Sequence, residues 1–487
     1  MRIMPTLMAF LLILGLTACS QAKYSAVTEK AVSEIIKTNK VTDNSFPDSV
    51  GGQGKRDPLS QLTSTATKKE LMALTNHPNG VVRCYAFWAL AQQQSIDLLA
   101  IVLRHVNDTV NIHIRFGDEG WSEKVGDFMI DVVTPKYVDL TSKKLDSMEY
   151  STLDSILIYT RNELYARDKA IEKVRPTDRL YPRIRELAVK DGNQSAVVAL
   201  AKYKKQQDVS VILNNRESNS SENEGYYYTY RAIAEFPQPD FMPLLRKNLF
   251  QTLGDSHYDN EWSALYRAIA AYKNAEALEL LKVPFTKVQY PDIRTYHIGF
   301  VFAAVERIDD PIYDDLKWTL WANESRINAR VFAYLYKRDP QKALELSKKF
   351  LLKSDDLVEA SGDDDFENTT TRKSLTETML DLVLQKDSSY GKEIIRSKLA
   401  TADVHLFPTI AEKAMAIKDK SFIEPFFKRF GGDDNPYVYL AAAKGLIAFN
   451  SAAINKKILL IRSKNKNLME GWGGEDLTRL LKENRIY

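Results

Sequence analysis

Val82-Arg83-Cys84-Tyr85-Ala86-Phe87-Trp88-Ala89-Leu90 is the stretch that decides the fold. Its apolar residues recur at helical spacing, and the small Ala86 and Ala89 between them would let a second helix approach closely. Asn76-His77-Pro78-Asn79-Gly80 precedes it, a turn whose Asn and Pro are residues that start helices. Residues 95–106 follow with the apolar spacing of a partner helix. The predicted unit is a helical hairpin.

Related units recur along the chain. Asn435-Pro436-Tyr437-Val438-Tyr439-Leu440-Ala441-Ala442-Ala443-Lys444-Gly445-Leu446 repeats the pattern, with Tyr439 in the place of Arg83 and Gly445 in the place of Ala89. In the middle, Tyr230-Arg231-Ala232-Ile233-Ala234 returns 36 residues later as Tyr266-Arg267-Ala268-Ile269-Ala270, and Phe302-Ala303-Ala304-Val305 follows after another 36. A polar turn and a second helix come after each of these, at 240–250, 275–283 and 312–321. Pairs at 326–336 with 341–352, 409–417 with 422–430, and 437–449 with 453–461 continue the series; 195–204 with 209–213 belongs to it on the N-terminal side. A sustained period of this length is the signature of stacked helical hairpins, each burying its apolar face only against its neighbours.

The Val-Arg-x-x-Ala-x-x-Ala-Leu pattern at 82–90 after an Asx/Pro turn resembles the HEAT-type repeat. That resemblance covers most of 60–462 in pattern and is specific at 76–90, at the 36-residue recurrence and, loosely, at 435–446. It implies an all-α chain, an α-solenoid of about eight hairpins, some degenerate, over 59–487. It also implies a buried ion pair at Arg83, which Tyr439 could not make at the second copy.

Two segments depart from helical spacing. Val110-Asn111-Ile112-His113-Ile114-Arg115-Phe116 alternates with period two, Gly117 to Trp121 reads as a turn, and Phe128-Met129-Ile130-Asp131-Val132-Val133 is β-prone. These residues predict a small β-hairpin insertion near 108–134. Residues 354–371 carry Asp355, Asp356, Asp363, Asp364, Asp365 and Glu367 around Gly362, an acidic loop. That loop lacks the alternating order and distal Glu of a helix-loop-helix Ca²⁺ site.

At the N-terminus, Arg2 precedes the apolar run Leu7 to Leu16, which as a helix spans only about 15 Å, half of a bilayer's hydrocarbon core. Leu16-Thr17-Ala18-Cys19 at its end resembles the bacterial lipobox. The resemblance implies a signal peptide at 1–18, removed by cleavage, and a lipidated Cys19 as the mature N-terminus. It places the chain in the bacterial envelope, and Ser20 after the Cys implies the outer membrane, facing the periplasm. Residues 19–58 are polar and uneven and read as a flexible tether, with 26–36 able to form a short helix. Several acyl chains on one residue suffice for stable anchoring.

Composition narrows the function. There are 67 Lys and Arg against 64 Asp and Glu, a net charge of +3, too balanced for a nucleic-acid binder. The cysteines are Cys19 and Cys84, so lipid on Cys19 leaves no disulfide partner and stability must come from packing. Six histidines are scattered; no His-Glu-x-x-His, Cys-x-x-Cys, Gly-x-Ser-x-Gly or phosphate-cradling loop occurs. No catalytic residue, cofactor or metal site is expected, and Cys84 reads as a small core hydrophobe. Aromatics are plentiful, with 24 Tyr and 6 Trp. Tyr226, Tyr227, Tyr228, Arg231, Trp262 and Arg267 are the candidate partner-binding residues, because aromatics with polar tips and Arg dominate recognition surfaces.

The expected function is a lipid-anchored, non-catalytic scaffold that binds a protein or peptide partner. Two alternatives differ in kind. One is an immunity lipoprotein that neutralises a toxin or phospholipase delivered to the periplasm; the other is an envelope enzyme built on the β-insertion, with His113, Asp118 and Glu119 as its polar group.

Overall fold

A computed structural model describes residues 24–42, 58–93, 95–134, 141–217, 225–355 and 373–487. The lipobox with Cys19 and the acidic loop beyond Asp355 lie outside the described residues. The chain divides into two compact units, Met1–Glu217 and Ser218–Tyr487. It is all-α with one small sheet.

The first unit begins with helices α1 (Ala26–Thr38), α2 (Pro58–Thr65), α3 (Lys68–Leu74), α4 (Gly80–Ala91) and α5 (Leu98–Arg104). Every residue of α4 is buried, because α1, α2 and α3 pack around it together with α6 (Val125–Val133). Asn79 starts α4 by accepting the Val82 amide at 3.1 Å, so the turn residues do what the sequence predicts. Part of the span expected as a tether is folded. Thr28, Ala31, Val32 and Ile35 of α1 are buried, and Glu70 on α3 accepts the Ser25 amide at 2.7 Å. The one-sided apolar face of α1 supplies burial that a tether would lack.

The expected hairpin forms, with different edges. Strands β2 (Asn111–Phe116) and β3 (Glu119–Lys124) pair antiparallel, and β1 (Val41–Thr42) joins β2 in parallel. Glu119 to Trp121, read as turn, belongs to β3, and the turn is confined to Gly117 and Asp118. Phe128 to Val133 is helical, not strand-like: Phe128, Met129, Ile130, Val132 and Val133 are all buried, so a short apolar run was satisfied by enclosure as a helix. The unit closes with α7 (Ser147–Tyr159), α8 (Tyr165–Lys173), α9 (Tyr181–Val189), α10 (Gln194–Ala201) and α11 (Val209–Leu213).

The second unit is a run of helix pairs. They are α12 (Tyr227–Glu235) with α13 (Met242–Thr252), α14 (Glu261–Ala270) with α15 (Ala275–Lys282), and, after the single turn α16 (Pro284–Lys287), α17 (Pro291–Val305) with α18 (Asp314–Glu324). Next come α19 (Ala329–Arg338) with α20 (Pro340–Lys353), α21 (Leu375–Lys386) with α22 (Ser388–Thr401), and α23 (Leu406–Ile417) with α24 (Ile423–Gly432). The last layer is α25 (Pro436–Ile447), α26 (Ala452–Lys464), α27 (Asn467–Glu470) and α28 (Gly474–Glu483). First helices stack at both ends of the run, α12 on α14, α14 on α17 and α23 on α25, while between them the second helices stack, α18 on α20, α20 on α22 and α22 on α24. Tyr230 and Tyr266, related by the 36-residue recurrence, are both buried, and Phe302 is partly buried. A hydrophobic core runs without a break from Trp318 to Ile486. Asn274, Asn328 and Asn435 start their helices as Asn79 does, each accepting a backbone amide two or three residues on.

Close approach explains the departures in the second copy. A Cβ on Gly445 would sit 2.5 Å from the ring of the buried Phe426 on α24, so only glycine fits where the first copy has Ala89. Gly473 has φ +86°, and a Cβ there would meet Tyr439 Oη at 2.6 Å.

Candidate functional site

Arg83 makes the ion pair implied for the first copy. Its Nε lies 2.8 Å from Asp108 Oδ2 and its Nη2 donates to Oδ1 at 2.9 Å, while Nη1 donates to the carbonyls of His77 and Pro78. His105 Nδ1 is 3.1 Å from the same carboxylate. Burial pushes the Asp108 carboxyl up, but hydrogen bonds from His105 and Arg83 and the guanidinium charge outweigh it and hold it below the usual carboxylate range. At the second copy Tyr439 is fully buried and its hydroxyl donates to the Trp472 carbonyl. Both groups are internal braces.

The polar group of the enzymatic alternative does not converge. His113 pairs with Ser122 across the hairpin and Glu119 pairs with Phe116, so the two side chains leave opposite faces of the sheet. A strongly perturbed carboxyl lies beside them, on the inward face that Glu123 shares with its partner Ile112. Burial, then the charge and hydrogen bond of Asp131, then Asp127, push the Glu123 carboxyl up to about 8. Asp127 itself caps α8, accepting the Tyr165 and Ala166 amides at 3.1 and 2.8 Å. Among the described residues no group of three His, Cys, Asp or Glu is arranged to hold a metal ion. Cys84 is fully buried, and burial pushes its thiol well up, as befits a core residue.

The candidate partner-binding residues separate into two layers. Tyr226 and Trp262 are buried: Tyr226 stacks on Tyr230 at 5.6 Å, and Trp262 stacks on His297 at 4.4 Å with 16° between planes. Those two back a surface instead of forming it. Tyr227 is exposed, Tyr228 is half-buried, and Arg231 lies over both rings, 5.4 and 5.6 Å from their centroids. Arg267 is exposed on α14. The N-terminal ends of α12 and α14 are joined where the Tyr226 amide donates to Glu261 Oε1 at 2.9 Å.

One aromatic pair was missed. Tyr258, in the loop before α14, and Tyr296, on the first turns of α17, stack at 4.1 Å with 15° between planes, 47% and 44% exposed. Tyr258 stands four residues before Trp262 and Tyr296 one residue before His297, so the exposed stack is tied directly to the buried Trp262–His297 stack. The buried layer is also hydrogen-bonded. Tyr266 Oη lies 2.7 Å from His297 Nδ1, and burial pushes the imidazole down to about 4, so it is neutral at neutral pH.

Two surface grooves of about 580 Å³ complete the second unit. One lies between α13 and α15 around Met242, Arg246, Phe250 and Glu276; the other lies between α19 and α21 around Phe332, Tyr336, Leu375 and Leu382. No nucleophile paired with a base lines either groove.

No protein-family model matches the chain, and a search of curated proteins finds no match. Among the described residues no helix is long and apolar enough to cross a membrane.

Proposed function

We propose that the protein is a non-catalytic binding scaffold of the bacterial envelope, held to the membrane by lipid on Cys19, and that it takes a protein or peptide partner on the aromatic ends of α12, α14 and α17. The observation that carries this reading is the row of exposed tyrosines, Tyr227, Tyr258, Tyr290 and Tyr296, at the starts of successive first helices. Tyrosine gives large, stiff contact area with a polar tip, which suits recognition and costs little side-chain entropy. Regularly repeated first helices are also how repeat proteins offer an extended surface.

A photo-crosslinking residue placed at Tyr227, Tyr258 or Tyr296 in living cells tests the reading. The expected result is one discrete adduct from all three positions and none from Ser155, exposed on α7 of the first unit. Equal labelling from Ser155, or none anywhere, would refute it. In the same strains Cys19→Ser should abolish fatty-acid labelling and release the protein from membranes; continued labelling sinks the anchor.

A further inference from the structure

The loop 253–259 before α14 and the loop 288–290 before α17 are held together where the Gln289 amide donates to the Leu253 carbonyl at 2.9 Å. This places Tyr258 and Tyr296 on one shelf with the acidic residues that these loops carry. Over 253–262 and 286–296 the charged residues are Asp255, Asp259, Glu261 and Asp292 against Lys287 and Arg294. Arg294 is neutralised, since Nη1 and Nη2 grip the two Glu324 oxygens at 3.0 and 2.6 Å. Glu261 is engaged by the Tyr226 amide. Burial, and then the charge of Asp259, push the exposed Asp255 carboxyl up.

We propose that the Tyr258–Tyr296 stack with Asp255 and Asp259 is a docking shelf for an extended, arginine-bearing segment of a protein partner. The proposal rests on the protein-binding reading above and names the chemistry of its ligand. Arginine fits on two counts. Its planar guanidinium stacks on a tyrosine face and its fork of donors matches a carboxylate, whereas lysine offers only a point charge. Tyr258 and Tyr296 are 47% and 44% exposed, and each sits near in sequence to one ring of the buried Trp262–His297 stack, so the pair is arranged before a ligand arrives. An extended chain suits the site because a pair of exposed, stacked tyrosine rings offers faces along which a chain can lie.

The test uses the purified full-length chain and a short fluorescein-labelled peptide alternating arginine and proline, followed by fluorescence anisotropy. The lysine-for-arginine and glutamate-for-arginine versions are measured beside it. The arginine peptide should bind saturably and weaken with salt, the lysine version should bind several-fold more weakly, and the glutamate version should not bind. Y258A/Y296A should weaken binding at least tenfold, while Y258F/Y296F, which keeps the stack, should bind within about twofold of the parent. D255N/D259N should weaken binding and flatten the salt dependence. The side-chain oxygen that remains in D259N can still accept the Glu261 amide, which Asp259 Oδ1 takes at 2.8 Å, so the helix start is kept. Unchanged binding by Y258A/Y296A, or equal binding of the arginine and glutamate peptides, overturns the proposal. So does saturation by choline alone that displaces the peptide, which would make the shelf a small-cation site. Failure of the peptide with intact crosslinking in cells defeats only the arginine assignment; peptide binding without any crosslink defeats the scaffold reading and leaves the shelf.

Discussion

At the scale of single residues, Arg83 illustrates how a polar group is made safe inside a helical core. Its side chain is 9% exposed and that of Asp108 13%, so each charge would be costly alone. Arg83→Met leaves Asp108 with only His105 and should cost about 3–5 kcal/mol. The pair D108L/R83M should recover much of that loss, because apolar side chains of similar volume replace a buried ion pair with little penalty. Recovery will be partial, since the His77 and Pro78 carbonyls also lose their donor. Urea midpoints of the two variants decide the matter: an equal loss in single and double would show that the carbonyls, not the ion pair, need Arg83.

At the scale of elements, the hairpin presses a carboxyl, Glu123, into the buried neighbourhood of Asp131 on α6. Glu123 holds its proton up to about 8 in the fold, where a carboxyl in the unfolded chain loses it at about 4. Between those values the folded state binds the extra proton, so stability falls as pH rises through this window and is flat below it. Glu123→Gln has no proton to lose. The variant should therefore gain on the parent as pH goes from 5 to 9, read as the difference in melting temperature; a difference that is the same at both ends would exclude a shared proton. Much of this element scale was legible in the sequence. The Asn caps and the 36-residue recurrence marked the starts and spacing of the helices, and the alternation at 110–116 marked β2. What misled was local chemistry overruled by enclosure. Gly120 beside Trp121 looked like a turn but pairs with Arg115, and the apolar run after Phe128 looked like a strand but is wrapped on all sides as a helix. The binding surface was legible only in part. Consecutive tyrosines guaranteed that one of Tyr226, Tyr227 and Tyr228 would be exposed, and it is Tyr227. Nothing in periodicity could bring Tyr258 to Tyr296, because the pairing depends on a loop meeting the start of a later helix, α17.

For the whole molecule, the governing fact is that the main contacts in the second unit run between helices near in order, α20 to α21 and α22, α22 to α23 and α24, α24 to α25 and α26. Such a body is a sum of layers and of the interfaces between neighbours, so its stability depends on each layer having both its faces satisfied. Residues 218–487 contain a continuous core and no strand among the described residues, so that fragment should fold alone with a single cooperative thermal transition. Removing 451–487 takes away α26 to α28 and uncovers the buried face of α25, including Val438, Tyr439 and Leu446, and with it the partner of the Tyr439 hydroxyl, the Trp472 carbonyl. That shorter fragment should melt at a markedly lower temperature and aggregate above its transition, because exposed apolar helix faces associate. Circular dichroism melts of the two fragments test this directly. A gradual melt of 218–487 would mean that its layers are stable only with the first unit present; equal melting of both fragments would mean that the last layer contributes nothing to the array. If the longer fragment folds as expected, the tyrosine shelf belongs to a body that stands by itself.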